Sequence, residues 1–242
     1  MDSDRTAPGV KRESKKLDDL QARIGHFFRD VSLLKRALTH PSASEEEGRG
    51  RLASYERLEF LGDSVVNFLL AEMVYDLFPH ENEGTLTKLR AWWISGKALA
   101  ESARSLLISE CLRMGRGERD SGGADKERIQ ACALEALFGA LYLEGGIKPA
   151  RKLARDLWRD AIRKRGMDVL LNDSKTRLQE LRQSGAFSLP SYKTRASEEG
   201  FASIVFLDGE AAGRGSGKSR KAAEQEAARD ALSRLPEIGP KK

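Results

Sequence analysis

The chain has 242 residues, of which 40% are hydrophobic and 33% charged, with a formal net charge of +5. That length and composition allow one large or two modest globular domains with a real core, and exclude a disordered, fibrous or disulfide-built chain. No apolar run approaches the roughly 18 residues a membrane helix needs. The N-terminus also lacks an apolar signal core, so a soluble, cytoplasmic protein without membrane contact is expected. The two cysteines, Cys111 and Cys132, form no spaced framework and are expected as reduced thiols. The basic excess is mild, so the placement of the cations must decide whether nucleic acid is a partner.

Residues 1–16 are polar and rich in Lys and Arg, which predicts a disordered tail. Helical periodicity begins at Leu17 and runs through Leu20, Ile24, Leu34 and Leu38. Thr39-His-Pro-Ser42 closes it, because proline rarely continues a helix. Residues 44–51 read as a charged loop. A long amphipathic helix is expected from about Leu52 to Leu77, stopped by Pro79. Helical signals resume at Thr85 and continue through Leu107. Residues 115–123 read as an exposed Gly-, Arg- and Ser-rich loop, followed by helices over 127–143, with Asp125 as a candidate cap, and over 149–165. Nothing in this stretch alternates like a strand, so residues 17–165 are expected to form an all-α domain.

The character changes after Gly166. Residues 166–172 read as a linker, and 174–184 as a short helix. Strands are expected over 192–197 and 201–207, with Asp208-Gly209 as a hairpin turn. Gly213 to Gly217 reads as a second Gly-rich turn region, and Lys218 to Leu235 as an Ala-rich helix. The order α-β-β-β-α makes residues 173–236 a small α+β domain joined to the all-α one, with 237–242 as a tail.

Two places carry chemistry. In Tyr55-Glu-Arg-Leu-Glu-Phe-Leu-Gly-Asp-Ser64, the acids Glu56, Glu59 and Asp63 fall at i, i+3 and i+7, within an arc of roughly 60° on one helix face. No Lys or Arg of the helix shares that arc. Such like charges repel by a few tenths of a kcal/mol per pair, and a hard cation collecting oxygen ligands would relieve them. An acidic, solvated face is the alternative. The second place is Glu135, the one acid in an otherwise apolar stretch from Ile129 to Leu143. A buried carboxylate must be neutralised, paired or metal-bound. A cation shared with Glu59 and Asp63 would serve, as would a neighbouring Arg.

Glu56-Arg-Leu-Glu-Phe-Leu-Gly-Asp63 resembles the signature of the ribonuclease III family. Leu33-Leu-Lys-Arg-Ala-Leu-Thr-His-Pro-Ser42, Glu83-Gly-Thr-Leu-Thr-Lys-Leu-Arg-Ala91 and Leu134-Glu-Ala-Leu-Phe-Gly-Ala-Leu-Tyr-Leu143 agree with it, in the family's order. The resemblance spans roughly Leu17 to Leu235 and implies a helical nuclease domain followed by a double-stranded-RNA-binding domain. It implies Mg²⁺-dependent hydrolysis of double-stranded RNA, with Mn²⁺ a possible substitute. Staggered ends with 5′-phosphates and 3′-hydroxyls would result, in the processing of ribosomal RNA precursors and structured transcripts. Carried over by position, Glu56, Glu59, Asp63 and Glu135 would form the catalytic group: Glu59, Asp63 and Glu135 would ligate the metal, and Glu56 would lie at the edge, aiding the site or contacting RNA. Phe60 resembles the aromatic residue packed across the family's homodimer interface, with an ordinary core phenylalanine as the alternative.

The sequence departs from the family at Cys132, where a metal-site aspartate is expected three residues before Glu135. A thiol is a poor partner for Mg²⁺. That leaves three readings open: an enzyme with a remodelled shell, a cleavage-impaired RNA-binding protein on a degenerate scaffold, or a site for a softer metal. In the second domain, Thr176, Gln179, Glu180 and Gln183 resemble the RNA-facing groups of a first helix that reads the minor groove of A-form RNA. Lys218, Arg220 and Lys221 cluster at a helix start, where cations oppose the macrodipole unless a polyanion is near. Ala196-Ser-Glu-Glu-Gly200 lacks the family's Gly-Pro-x-His element, so one RNA contact is expected to be weak or missing.

Overall fold

The computed structural model describes residues 8–172, 174–183 and 188–234, without the side chains of 8–12, 165, 167–172, 176, 177, 180, 182 and 183. The first seven residues and the expected tail over 237–242 lie outside it. The chain divides between Ile162 and Arg163 into two compact units.

Among the described residues of the first unit nine helices follow one another: α1 (Pro8–Ile24), α2 (Val31–Ala37), α3 (Pro41–Glu46), α4 (Glu56–Leu77), α5 (Glu83–Trp93), α6 (Gly96–Ser105), α7 (Arg116–Asp120), α8 (Glu127–Gly145) and α9 (Ile147–Asn172), which runs on past the division. Apart from one bridge pairing Thr39 with Arg113, no β-structure occurs there among the described residues. The centre is α8, whose residues from Ile129 to Leu141 are buried almost without interruption. A helix apolar all round can satisfy its surface only by being enclosed. Phe138 stacks on Trp158 with ring centroids 5.2 Å apart, and the Trp158 indole donates to Ser102 Oγ at 2.8 Å.

Helix α4 lays Leu58, Val65, Val66, Leu69, Leu70 and Met73 against the core, and packs most extensively on α8. Two glycines, Gly62 and Gly139, face each other's helices at the crossing. A Cβ on Gly139 would lie 2.2 Å from the Leu58 carbonyl oxygen. The backbones therefore approach more closely than any larger residue permits, and this carries the acidic face of α4 to the polar edge of α8.

Several expectations need correction. The tail predicted over 1–16 is helical from Pro8, because α1 buries Leu17, Leu20 and Ile24 and extends back from that anchor. Pro41 opens a helix rather than ending one. It stands at the first position of α3, where its missing N–H costs nothing, and His40 caps that helix by accepting from Ser42 N. The helix expected from Leu52 starts at Glu56, after a 3₁₀ turn over Arg51–Ala53. Asp125 belongs to a 3₁₀ turn and does not cap α8; Lys126 occupies that position. Residues 166–172, expected as a linker, are the last turns of α9. A single Gly166 costs about 1 kcal/mol in a helix, which is not enough to end α9.

The second unit contains α10 (Ser174–Gln183), β1 (Ser191–Ser197), β2 (Gly200–Leu207), β3 (Glu210–Gly217) and α11 (Arg220–Arg234). The strands form an antiparallel sheet in the order β1-β2-β3. Asp208 and Gly209 both take positive φ, 52° and 85°, as a tight hairpin turn requires. Leu178, Val205, Leu207, Ala227, Ala228 and Ala231 make the core. Gly213 to Gly217, expected as a turn, lies within β3. Its glycines alternate toward α11: a Cβ on Gly215 would lie 2.2 Å from Ala227 N. A small-residue strand against an Ala-rich helix is how so short a domain brings its two layers together.

Candidate metal centre and RNA-binding surface

Glu59, Cys132 and Glu135 converge where α4 crosses α8. One potential ligand atom from each lies within 4.8 Å of the others, and all three side chains are partly buried. Glu59 and Glu135 thus come together, although 76 positions apart in the sequence. Asp63 is exposed one turn further along α4. It is outside that tight trio, yet its charge acts on Glu135. Asn67 Nδ2 donates to Asp63 Oδ1 at 2.9 Å and to its carbonyl at 3.0 Å, which fixes that carboxylate.

The electrostatics are those of an uncompensated acidic group. Burial, then the charges of Asp63 and Glu59, push the Glu135 carboxyl up to about 7. No guanidinium or ammonium pairs with Glu135 among the described residues. Burial also pushes the Cys132 thiol up to about 12, helped by its hydrogen bond to Glu59 and the charges of Glu59 and Glu135. At neutral pH Cys132 is therefore an S–H that donates to the Glu59 carboxylate. Two partly buried carboxylates, a third nearby and no cation paired with Glu135 among the described residues suit a divalent metal that takes oxygen ligands. The neutral thiol adds nothing to that oxygen set.

Glu56 behaves differently from its sequence neighbours. It faces Arg51, just before the helix, with Arg51 Nε donating to Glu56 Oε2 at 2.9 Å and a second contact closing the pair. That pairing holds its carboxyl below the usual range, Arg51 first and Ser54 also contributing. Helical spacing could not reveal it, because the partner lies outside the helix. Gly62, which admits Glu135, and Asn67, which steadies Asp63, were likewise missed. The signal for Gly62 was its place between Glu59 and Asp63 in an otherwise bulky run.

In the second unit Lys218, Arg220 and Lys221 are all exposed around the start of α11. Ser219 caps that helix by accepting from Ala222 N at 3.2 Å, and the Arg220 guanidinium lies 6.0 Å from the centre of the Phe201 ring. Gln179 is exposed on α10; the side chains of Thr176, Glu180 and Gln183 lie outside those described. Lys175 anchors α10 on α11 through Glu224, at 2.6 Å, and covers the Tyr192 ring at 4.4 Å. Glu198 and Glu199 form the exposed turn between β1 and β2.

A family model described as Ribonuclease-III-like matches residues 30–160, and one described as Double-stranded RNA binding motif matches 174–235. The chain belongs to the ribonuclease III family. A protein named Ribonuclease 3 from Nitrosococcus oceani is 42% identical, over 90% of this chain and 94% of its own. Another of that name, from Alkalilimnicola ehrlichii, is 41% identical over 90% and 95%. Among solved structures, a ribonuclease III nuclease domain from Campylobacter jejuni matches with a TM-score of 0.55 and 35% identity. It covers 60% of this chain and 96% of that one. Ribonuclease III membership gives the trio of Glu59, Cys132 and Glu135 its setting: it lies inside the matched nuclease segment, and the Lys218 cluster lies inside the matched RNA-binding segment. No described helix is long and apolar enough to cross a membrane.

Proposed function

We propose that this chain is an endoribonuclease that hydrolyses phosphodiesters in double-stranded RNA, with a divalent metal held by Glu59, Glu135 and Asp63. The observation that carries this reading is the convergence of Glu59 and Glu135 from two helices into one partly buried group, with no cation paired to Glu135 among the described residues. Mg²⁺ is the natural ion for such oxygens, with Mn²⁺ as a substitute. When bound, the ion supplies charge for the phosphoryl oxygens and an attacking water of lowered pKa.

The residues do the placing. Glu59 and Glu135 offer oxygens from opposite sides of the helix crossing, and Asp63, steadied by Asn67, extends the group along α4. Cys132 orients Glu59 through its S–H and contributes no charge. Glu56, closed onto Arg51, borders the group. We take residues 17–165 as the nuclease domain and 173–236 as the RNA-binding domain. In the latter, Lys218, Arg220 and Lys221 meet phosphates, and Thr176, Gln179, Glu180 and Gln183 meet the minor groove. Products are staggered ends with 5′-phosphates and 3′-hydroxyls, from ribosomal RNA precursors and structured transcripts in the cytoplasm.

The working unit is a homodimer. Phe60, Phe68 and Tyr75 of α4 are 81%, 53% and 70% exposed, and their spacing aligns them as one apolar stripe beside the acidic face. Exposed aromatics in a row favour burial against a partner. The Campylobacter jejuni nuclease domain has a region involved in dimer formation, and Phe60 is the residue assigned to the corresponding contact here.

Purified protein incubated with a long RNA duplex and Mg²⁺ tests the reading: short duplexes with staggered ends are expected. Tight binding with no cutting at any Mg²⁺ or Mn²⁺ concentration would instead make the chain a cleavage-impaired RNA-binding protein, with Cys132 the cause.

A further inference from the structure

Arg128 stands on the same face of α8 as Cys132 and Glu135. Arg128, Cys132 and Glu135 follow at i, i+4 and i+7, so the Arg128 backbone lies about 6 Å along the helix axis from that of Cys132. Arg128 is exposed, and nothing among the described residues hydrogen-bonds or ion-pairs with it. Its neighbours in sequence are already engaged: Glu127 lies 3.6 Å from Arg104, and Lys126 lies 2.8 Å from Glu118.

Its charge nevertheless reaches the site. Among the influences on the Cys132 thiol and on the buried Tyr55 hydroxyl at the start of α4, Arg128 is the favourable cation in both cases. Glu135, by contrast, feels only burial, Asp63 and Glu59. The Arg128 charge thus acts on the Cys132 and Tyr55 side of the acidic group, and no ion pair joins it to Glu135 among the described residues. A cation in the first turn of a helix also works against the macrodipole. An unpaired arginine held there, beside an acidic group, is the arrangement that an incoming anion would complete.

We propose that Arg128 is an RNA-binding residue of the nuclease site, its guanidinium gripping a backbone phosphate of the strand that enters the acidic group. This rests on the reading of that group as the nuclease centre. A polyanion approaching Glu59, Asp63 and Glu135 is repelled until metal is bound, and a planar five-donor guanidinium gives its phosphate a two-point anchor at the rim. Arg128 thereby offsets at the rim the repulsion the carboxylates create inside.

The test compares the full chain with Arg128→Ala and Arg128→Lys. Duplex-RNA binding is titrated against salt with EDTA present, and cleavage kinetics are measured with Mg²⁺. Arg128→Ala should reduce the slope of log affinity against log salt by about 0.7–0.9. It should also raise KM about tenfold while kcat changes little, the pattern of lost ground-state binding. Arg128→Lys should keep the slope and recover part of KM. An unchanged slope together with an unchanged KM would overturn the proposal. So would a fall in kcat with an altered Mg²⁺ requirement and unchanged binding, which would make Arg128 a modifier of the metal site. Wild-type protein that binds duplex but never cuts would sink the nuclease reading, and the salt slope would still decide the Arg128 contact.

Discussion

Gly62 of α4 lies directly against the backbone of Glu135 of α8: a Cβ there would come within 1.7 Å of the Glu135 carbonyl oxygen. The residue between Glu59 and Asp63 is small, which lets the helix that carries Glu135 come up against α4.

Gly62→Ala should therefore push α4 from α8. We expect a loss of about 1–3 kcal/mol or more, as for other forced overpacking, with cleavage lost in parallel. Urea unfolding and a cleavage assay measure both. Wild-type stability and rate in this variant would show that the helices do not cross so closely.

Metal-free protein should become less stable as pH rises from about 4.5 to about 7. Glu135 has a folded pKa of about 7 against an ordinary value of 4.5, so across that window the folded state keeps a proton that the unfolded state has released. Its burden is absent below the window and fully present above it. Denaturation in EDTA at several pH values, compared with Glu135→Gln, isolates the effect: the variant should lack this part of the decline. Added Mg²⁺ should stabilise wild type more at pH 8 than at pH 5. Identical pH profiles for the two proteins would place Glu135 in water.

Cys132→Asp should tighten metal binding, because a neutral thiol is replaced by an oxygen anion beside Glu59 and Glu135. A fall of roughly 10-fold or more in the half-saturating Mg²⁺ concentration is expected, within the range that groups around a metal commonly command. Calorimetric titration with Mg²⁺ and cleavage against Mg²⁺ concentration should agree. Equal dependence in both proteins would put Cys132 outside the working shell.

Glu56 and Glu59 should separate on substitution. Glu59→Gln removes a proposed ligand and should lower cleavage on the order of 10–100-fold or more. Glu56→Gln breaks a largely solvated pair with Arg51, and such pairs contribute little. Its rate should stay within a few-fold of wild type. Equal losses would mean that Glu56 turns from Arg51 into the site when RNA arrives.

Lys221→Glu should weaken duplex binding and flatten its salt dependence by about one to two phosphate contacts, with the fold intact because the side chain is exposed. A gel-shift series over salt concentration reads this. An unchanged slope would remove Lys221 from the contact surface.

The readable and unreadable parts of this chain divide by the range of the interactions involved. Periodicity exposed the long helices, the Asp208-Gly209 hairpin and the acidic face of α4, because these depend on residues a few positions apart. The isolated carboxylate in an apolar helix marked Glu135 for the same reason: burying it without compensation is costly. Local signals misled where a neighbour's identity decided the outcome. Pro41 could end one helix or open the next, Gly166 could break α9 or be carried by it, and Gly213 to Gly217 could turn or lie flat under α11.

By itself, the sequence determined that there would be a helical domain and a small α+β domain, with acids on two helices and cations around Lys218. Only the tertiary structure decided which acids meet. Glu56 turns to Arg51, and Glu59 meets Cys132 and Glu135. Those outcomes depend on two backbones approaching at Gly62 and Gly139 and on charges finding one another through space, and neither is encoded in the spacing along one segment.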